Sequence, residues 1–191
     1  MNVNTQQATL VQEGGKGSVK AQALLVVVFA GLTALGAQIE LPHQPVPYTL
    51  QTFFVLLSGA LLGRRNGALS QFTYLVAGAA GLPVFSALGF GAARLLGPTG
   101  GYLLSFPIAA FAVGYIIDGK PHIVRSVAAI ATGLFVIFAL GTVQLNFVFY
   151  HDWSKAFVNG FLIFSWWDVL KLAGAVAFVR QVGHRLERFS A

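Results

Sequence analysis

The sequence predicts an all-α integral membrane protein with six transmembrane helices and both termini on the cytoplasmic side. Three observations carry that expectation. Of the 191 residues, 56% are hydrophobic and only 9% are charged, against roughly 25% charged in an ordinary soluble domain. The mean hydropathy is +0.73, which leaves too little polar surface to cover a water-soluble globule, and the same balance excludes a disordered chain. The apolar residues also fall into runs of the length a bilayer demands, about 20 residues per helix, with basic residues gathered on alternate connections.

Taken in order, a polar, glycine-containing cytoplasmic tail occupies residues 1–19 and the six-helix membrane domain residues 20–191. Lys20–Ile39 is the first span. Its apolar stretch exceeds the roughly 7–15 residues of a secretory signal, so it reads as a retained helix. Pro42, Pro45 and Pro47 then interrupt the chain. Thr49–Gly63 and Gly67–Leu82 form a helical hairpin that turns at Arg64–Asn66. Residues 81–100, rich in Gly and Pro, read as a long loop. Gly101–Ile117 is the fourth span, closed by Asp118-Gly119-Lys120-Pro121, and Val124–Phe147 is the fifth. The sixth lies between Phe157 and Gly183. A helix from Trp167 to Arg185 already has spanning length, which leaves Phe157–Ser165 as an outer, partly buried, non-helical segment.

The net charge of +6 would suggest nucleic acid in a soluble protein, but position decides its meaning here. With the N-terminus inside, Lys16, Lys20, Arg64, Arg65, Lys120, Arg125, Arg180, Arg185 and Arg188 are all cytoplasmic. Only Arg94 and Lys155 fall outside, and Lys171 lies in the last span. This is the positive-inside pattern, a topology signal that removes nucleic acid as a partner and leaves the lipid bilayer. Cysteine is absent, and His43, His122, His151 and His184 stand singly without ligand spacing, so no metal site is expected.

A charge in the centre of a membrane helix costs about 2.5–3.5 kcal/mol on the insertion scale. Asp168 and Lys171 are the two residues that bear this cost. Their spacing of three puts them on one helix face, about 4.5 Å apart along the axis. Two readings stay open: a self-neutralising pair between the interfacial Trp166-Trp167 and the span, or a ligand site. Should the helix begin near Trp167, Asp168 sits in its first turn, where the dipole favours an anion. A second candidate is Gly97-Pro98-Thr99-Gly100-Gly101-Tyr102, whose glycines allow close backbone approach to a ligand or a plain loop-to-helix turn. Arg94, just before it, either clamps an anion or is solvated. Ala30 and Ala34, one helical turn apart, suit close packing, within the chain or against another membrane subunit.

No phosphate loop, HExxH or GxSxG motif is present. Gly14-Gly15-Lys16-Gly17-Ser18 has the wrong spacing for a phosphate loop, so uphill transport would need ATP hydrolysis on another chain. An intramembrane enzyme using Asp168 or His151-Asp152 is the rival reading, and a ligand-free scaffold is another. No second acid or histidine stands at catalytic spacing within the spans, so no catalytic residue is assigned.

Several segments together resemble a known family. Pro45-Val46-Pro47-Tyr48-Thr49-Leu50-Gln51-Thr52, the Leu57–Gly63 stretch with the arginines after it, Gly81-Leu82-Pro83-Val84-Phe85, Gly97–Tyr102 and Asp168-x-x-Lys171 are similar in order and spacing to BioY, the biotin-specific S components of energy-coupling-factor (ECF) transporters. The resemblance runs from about Ala21 to the C-terminal helix. It implies a multi-pass S component of the cell (inner) membrane, with an outward-facing biotin pocket closed by the loop before Gly97. Asp168 and Lys171 match the family's acidic and basic pair at the start of the last helix, although Trp166-Trp167 replaces the usual Pro-Gly. Ala30 and Ala34 match the alanine-spaced motif that docks on a transmembrane coupling subunit, and an ATPase pair would complete the module, which the resemblance leaves dispensable in some members. Biotin offers ureido N–H donors, an apolar fused ring and an anionic tail. Asp168 would accept the ureido N–H groups and Lys171 contribute charge, or Lys171 would hold the tail. Gln51, Thr99, Gly100, Gly101, Tyr102 and Arg94 are the further lining candidates, and an S component for another vitamin is the runner-up.

Overall fold

The computed structural model describes residues 18–117, 122–162 and 166–186. The expected tail with Lys16, the turn at 118–121 with Lys120, residues 163–165 and Arg188 lie outside them, as do the side chains of Trp166, Trp167 and Arg185. Helix α1 (Val19–Gln38) leads into a short antiparallel ribbon, β1 (Glu40–Leu41) against β2 (Tyr48–Thr49). The prolines of the intervening stretch lack N–H donors and cannot extend that ladder.

Helix α2 (Gln51–Ala79) is two arms. Its backbone leaves the helical region at Gly63, with φ 77° and ψ 175°, a conformation open to glycine for want of a Cβ. The chain reverses there, one residue before the expected Arg64–Asn66 turn, and the arms run antiparallel. Gln51 at the start of one arm therefore reaches Tyr74 near the end of the other, at 2.6 Å. The following loop holds a 3-10 turn (Ser86–Leu88) and the one-turn helix α3 (Ala93–Leu96). Then come α4 (Gly100–Ile117), α5 (Ile123–Leu145) with a π-helical turn at Asn146–Tyr150, α6 (Trp153–Gly160) and α7 (Trp166–Leu186). Three of these, α1, α4 and α5 with its extension, are long and apolar enough to cross a membrane.

Helix α6 corrects the expectation of a non-helical segment from Phe157 onward. The Asp152 carboxylate accepts the N–H groups of Ser154 and Lys155 at 2.9 and 3.2 Å. This N-cap satisfies the donors that a helix start leaves open, and the helix it begins runs through Gly160.

Helix α4 lies at the centre, packed against α2 on one side and α5 on the other. A Cβ at Gly59 would run into the Ala110 carbonyl, and one at Gly114 into the backbone of Gly63–Arg64. These glycines let the backbones of α2 and α4 approach as small residues do in membrane bundles. A polar network locks the other side. Thr33 of α1 donates to Gln71 at 3.2 Å, and Gln71 donates to Ser58 and Ser70 at 3.0 and 3.2 Å. All four residues are fully buried, so these bonds meet the requirement that polar groups away from water be paired.

Ala30 is buried in the chain's own core and Ala34 packs half-buried against it. The exposed face of α1 carries Leu24, Val27, Val28, Gly31 and Leu35 instead. The Arg64 guanidinium lies over the Tyr115 ring, 5.9 Å from its centroid. The basic hairpin tip is thus at the C-terminal end of α4, opposite the end where α4 begins at Gly100.

Gly59→Val is expected to cost about 1–3 kcal/mol by overpacking, seen as a lower melting temperature in detergent. Gly31→Ala, with nothing within 4 Å of the added carbon, should leave it unchanged or raise it. Equal effects of the two would contradict the close α2–α4 approach.

Candidate ligand site at the helix ends

The helix ends opposite the arginine tip converge on one cleft. Asp168 occupies the first turn of α7, where the unsatisfied N–H groups of a helix start favour an anion. It is 1% exposed, and its Oδ1 pairs with Lys171 Nζ at 2.5 Å. Lys171 Nζ also donates to Thr52 Oγ1 at 2.7 Å and to the Thr49 carbonyl at 3.2 Å. An ammonium has three protons; two go to the Thr52 and Thr49 oxygens, and the ion pair with Asp168 takes up its remaining side. The lysine is saturated, and it ties α7 to the start of α2. The aspartate is not saturated: neither of its buried oxygens accepts a hydrogen bond among the described residues, and Oδ2 lacks the ion pair that Oδ1 makes.

The walls of the cleft are mostly apolar, from Phe85, Leu103, Phe106, Ile137 and Phe138, with about 700 Å³ of free space counting its open mouth. Tyr48 of the ribbon also lines it. Burial first, and the Asp168 charge second, hold the Tyr48 hydroxyl above its ordinary pKa, so it stays protonated at neutral pH. Apolar walls with a few convergent polar groups are what a small-molecule pocket requires.

The structure brings Asp168, Lys171, Gln51, Thr99, Tyr102 and Arg94 to this cleft. Their duties there differ. Gln51 is spent on the frame, donating to Tyr74 at 2.6 Å and accepting from Thr49 Oγ1 at 2.9 Å. The Tyr102 hydroxyl donates to the Gly160 carbonyl at 2.9 Å, holding α6 on α4. Arg94 is exposed and has no ion-pair partner among the described residues. Gly100 and Gly101 do not line the cleft. A Cβ on Gly100 would collide with the Leu95 carbonyl and Gln144, and one on Gly101 with the backbone of α5, so their close approach is to protein.

Sequence reasoning did not single out Thr52, Tyr48 or Ser86 as cleft residues, nor Gln144, which donates from α5 to the Leu95 and Gly97 carbonyls, both at 2.9 Å. Thr52 and Tyr48 stood inside the Pro45–Thr52 motif. For Gln144 the signal was an amide in an apolar span, which a scan for charges passes over.

A family model described as the BioY family matches residues 6–188. The chain belongs to the BioY family. Among its relatives, a protein of Thermotoga maritima named biotin transporter BioY is 44% identical over 154 residues, covering 81% of this chain and 90% of that one. A probable biotin transporter BioY of Pyrococcus horikoshii is 43% identical over 159 residues, covering 83% and 93%. Among solved structures, the S-component for biotin from an ECF-type ABC transporter superposes with a TM-score of 0.75 at 22% identity, over 95% of this chain and 94% of that one. This BioY chain therefore shares the S-component fold, and its family is one of transporters rather than enzymes.

Breaking a buried ion pair costs more than removing it whole. Lys171→Met alone is expected to lower stability by about 3–5 kcal/mol, and Asp168→Leu with Lys171→Met to recover most of that loss, measured by chemical denaturation in micelles. A double variant no more stable than the single one would mean that burial of the charge is not what Lys171 relieves.

Proposed function

We propose that this chain binds biotin and takes it up as the substrate-specific membrane subunit, the S component, of an ECF transporter. The observation that carries the reading is Asp168 Oδ2, a buried carboxylate oxygen at an apolar cleft with no donor among the described residues. A buried acceptor left without a partner costs about 1–3 kcal/mol, more when charged, and a ligand N–H would remove that cost. The ureido group of biotin supplies such donors beside an apolar fused ring. With Lys171 saturated inside the protein, Asp168 is the residue that meets the ureido group, and Lys171 fixes its position. Arg94, the unpaired cation at the cleft, suits the anionic tail.

In this proposal α1, the two arms of α2, α4, α5 and α7 are six spans of a multi-pass protein of the cell (inner) membrane. Arg64 and Arg65 at the hairpin tip and Arg125 near the start of α5 face the cytoplasm, as the positive-inside tendency favours. The termini are then cytoplasmic, residues 1–19 form a polar tail, and the cleft opens outward. A transmembrane coupling subunit docks on the exposed face of α1, formed by Leu24, Val27, Val28, Gly31 and Leu35 beside the inward-facing Ala30 and half-buried Ala34, and the attached ATPase pair hydrolyses ATP. The relatives named as biotin transporters support biotin over another vitamin.

The test is to purify the protein in detergent without added ligand and identify what is bound by mass spectrometry. Intact biotin at about one per chain is expected, and a different vitamin would redirect the assignment. Asp168→Asn should weaken biotin binding at least tenfold, since a charge-assisted bond becomes a neutral one. Full-strength binding by Asp168→Asn and by Lys171→Ala, measured by calorimetry, would remove this site from consideration.

A further inference from the structure

The loop between α2 and α4 contributes Phe85, Ser86, Arg94 and Thr99 to the cleft, yet it has little structure to hold itself in place. Helix α3 is a single turn of four residues, and an isolated turn is unstable because helix nucleation fixes several residues for one hydrogen bond. Its last carbonyls have no helical partner. Ala87 and Leu88 sit at φ 53° and 54°, a left-handed region unfavourable to residues with a Cβ. Something outside the loop must hold it.

Phe85 is anchored in the core and the Gly91 N–H bonds to the Gly78 carbonyl at 2.8 Å, and two glutamine side chains on different helices hold the left-handed pair and the end of the turn. At one end, Gln38 of α1 donates to the Phe85 carbonyl at 3.0 Å and accepts the Leu88 N–H at 3.1 Å, bracketing the left-handed pair. At the other end, Gln144 of α5 donates both amide protons, to the Leu95 and Gly97 carbonyls at 2.9 Å each. These carbonyls flank the end of the turn that carries Arg94. Gly100 lacks a Cβ where one would strike Gln144, which keeps room for the amide. Neither glutamine is among the residues that line the cleft.

We infer that Gln144, with Gln38 as its counterpart, is a positioning residue that straps the 85–99 segment across the cleft and holds Arg94 against the ligand, so that it sets how long the ligand stays bound. The inference rests on the proposed function for its ligand but not for the strap itself, and the two are tested separately. Gln144→Glu keeps the shape and removes both donors. Gln144→Leu removes the polarity as well.

The first measurement needs no ligand. Trypsin cleaves after arginine, and Arg94 is exposed within the strap. In the full-length protein in detergent, Gln144→Glu is expected to raise the rate of cleavage after Arg94 about tenfold, roughly the worth of two net hydrogen bonds. An unchanged rate in both Gln144 variants would overturn the strap. The second measurement is dissociation of labelled biotin. Gln144→Glu should speed release about tenfold with little change in association, and should add nothing in an Arg94→Ala background, because a positioning residue acts through its target. Fully additive effects would overturn the role assigned to Gln144. Gln38→Leu, at the far end, should speed cleavage after Arg94 in the same direction. Should the unaltered protein bind no biotin, the functional reading falls while the proteolysis result still decides the strap.

Discussion

An aspartate and a lysine taken out of water together constrain everything around them. Each charge would be costly alone, and their mutual attraction compensates only when the remaining hydrogen-bonding capacity is also met. Here the compensation is lopsided. Lys171 reaches Asp168, Thr52 and the Thr49 carbonyl, so α7 cannot shift relative to the start of α2 without unpairing an ammonium. The ribbon follows, because Thr49 is both its last residue and a partner of Gln51 at 2.9 Å. Gln51 passes the constraint to Tyr74, and Tyr74 donates to the Val84 carbonyl at 3.2 Å. One chain of contacts thus runs from the ion pair to the start of the strap.

The frame that carries this chain is rigid for a different reason. In lipid there is little hydrophobic force between helices, so association depends on close packing and on polar bonds across interfaces. The bundle uses both. Gly59 and Gly114 bring α2 onto α4, and the Thr33–Gln71–Ser58–Ser70 network joins α1 to both arms of α2. A hairpin held at its tip by glycine contacts and along its length by amides has few alternative arrangements. The cleft can therefore leave one carboxylate oxygen unmet without the surrounding helices closing over it.

Much of this was legible in the residues. The hairpin followed from two short apolar runs around an arginine pair, and Asp168 in the first turn of the last helix followed from counting back a spanning length. What escaped was decided by partners the sequence does not name. Gly100 and Gly101 looked like a cradle for a ligand, and the close approach is real, but its object is α5 and the Leu95 carbonyl. The spacing of Ala30 suited packing within the chain as well as against another subunit, and it faces the chain's own core. Spacing fixes which residues share a helix face and leaves open what that face meets. Helix α6 was within reach: Asp152 followed by Trp153-Ser154-Lys155 is a capping signal, and the helix it opens runs into the stretch 157–165 that was expected to be non-helical.

The division between a fixed frame and a strapped loop also has an energetic logic. A site that kept every polar group satisfied without its ligand would gain little by binding one. One Asp168 oxygen is unmet among the described residues, and the loop carrying Arg94 is tied down at its two ends by four side-chain bonds from Gln38 and Gln144. A ligand bringing N–H donors and an anion relieves the first and adds to the second. One lacking the donors would leave the carboxylate unpaired, and sites built on a buried hydrogen bond reject such analogues far more strongly than apolar pockets reject a change of size. Selectivity would then come from the frame and residence time from the strap, so each could change with little cost to the other.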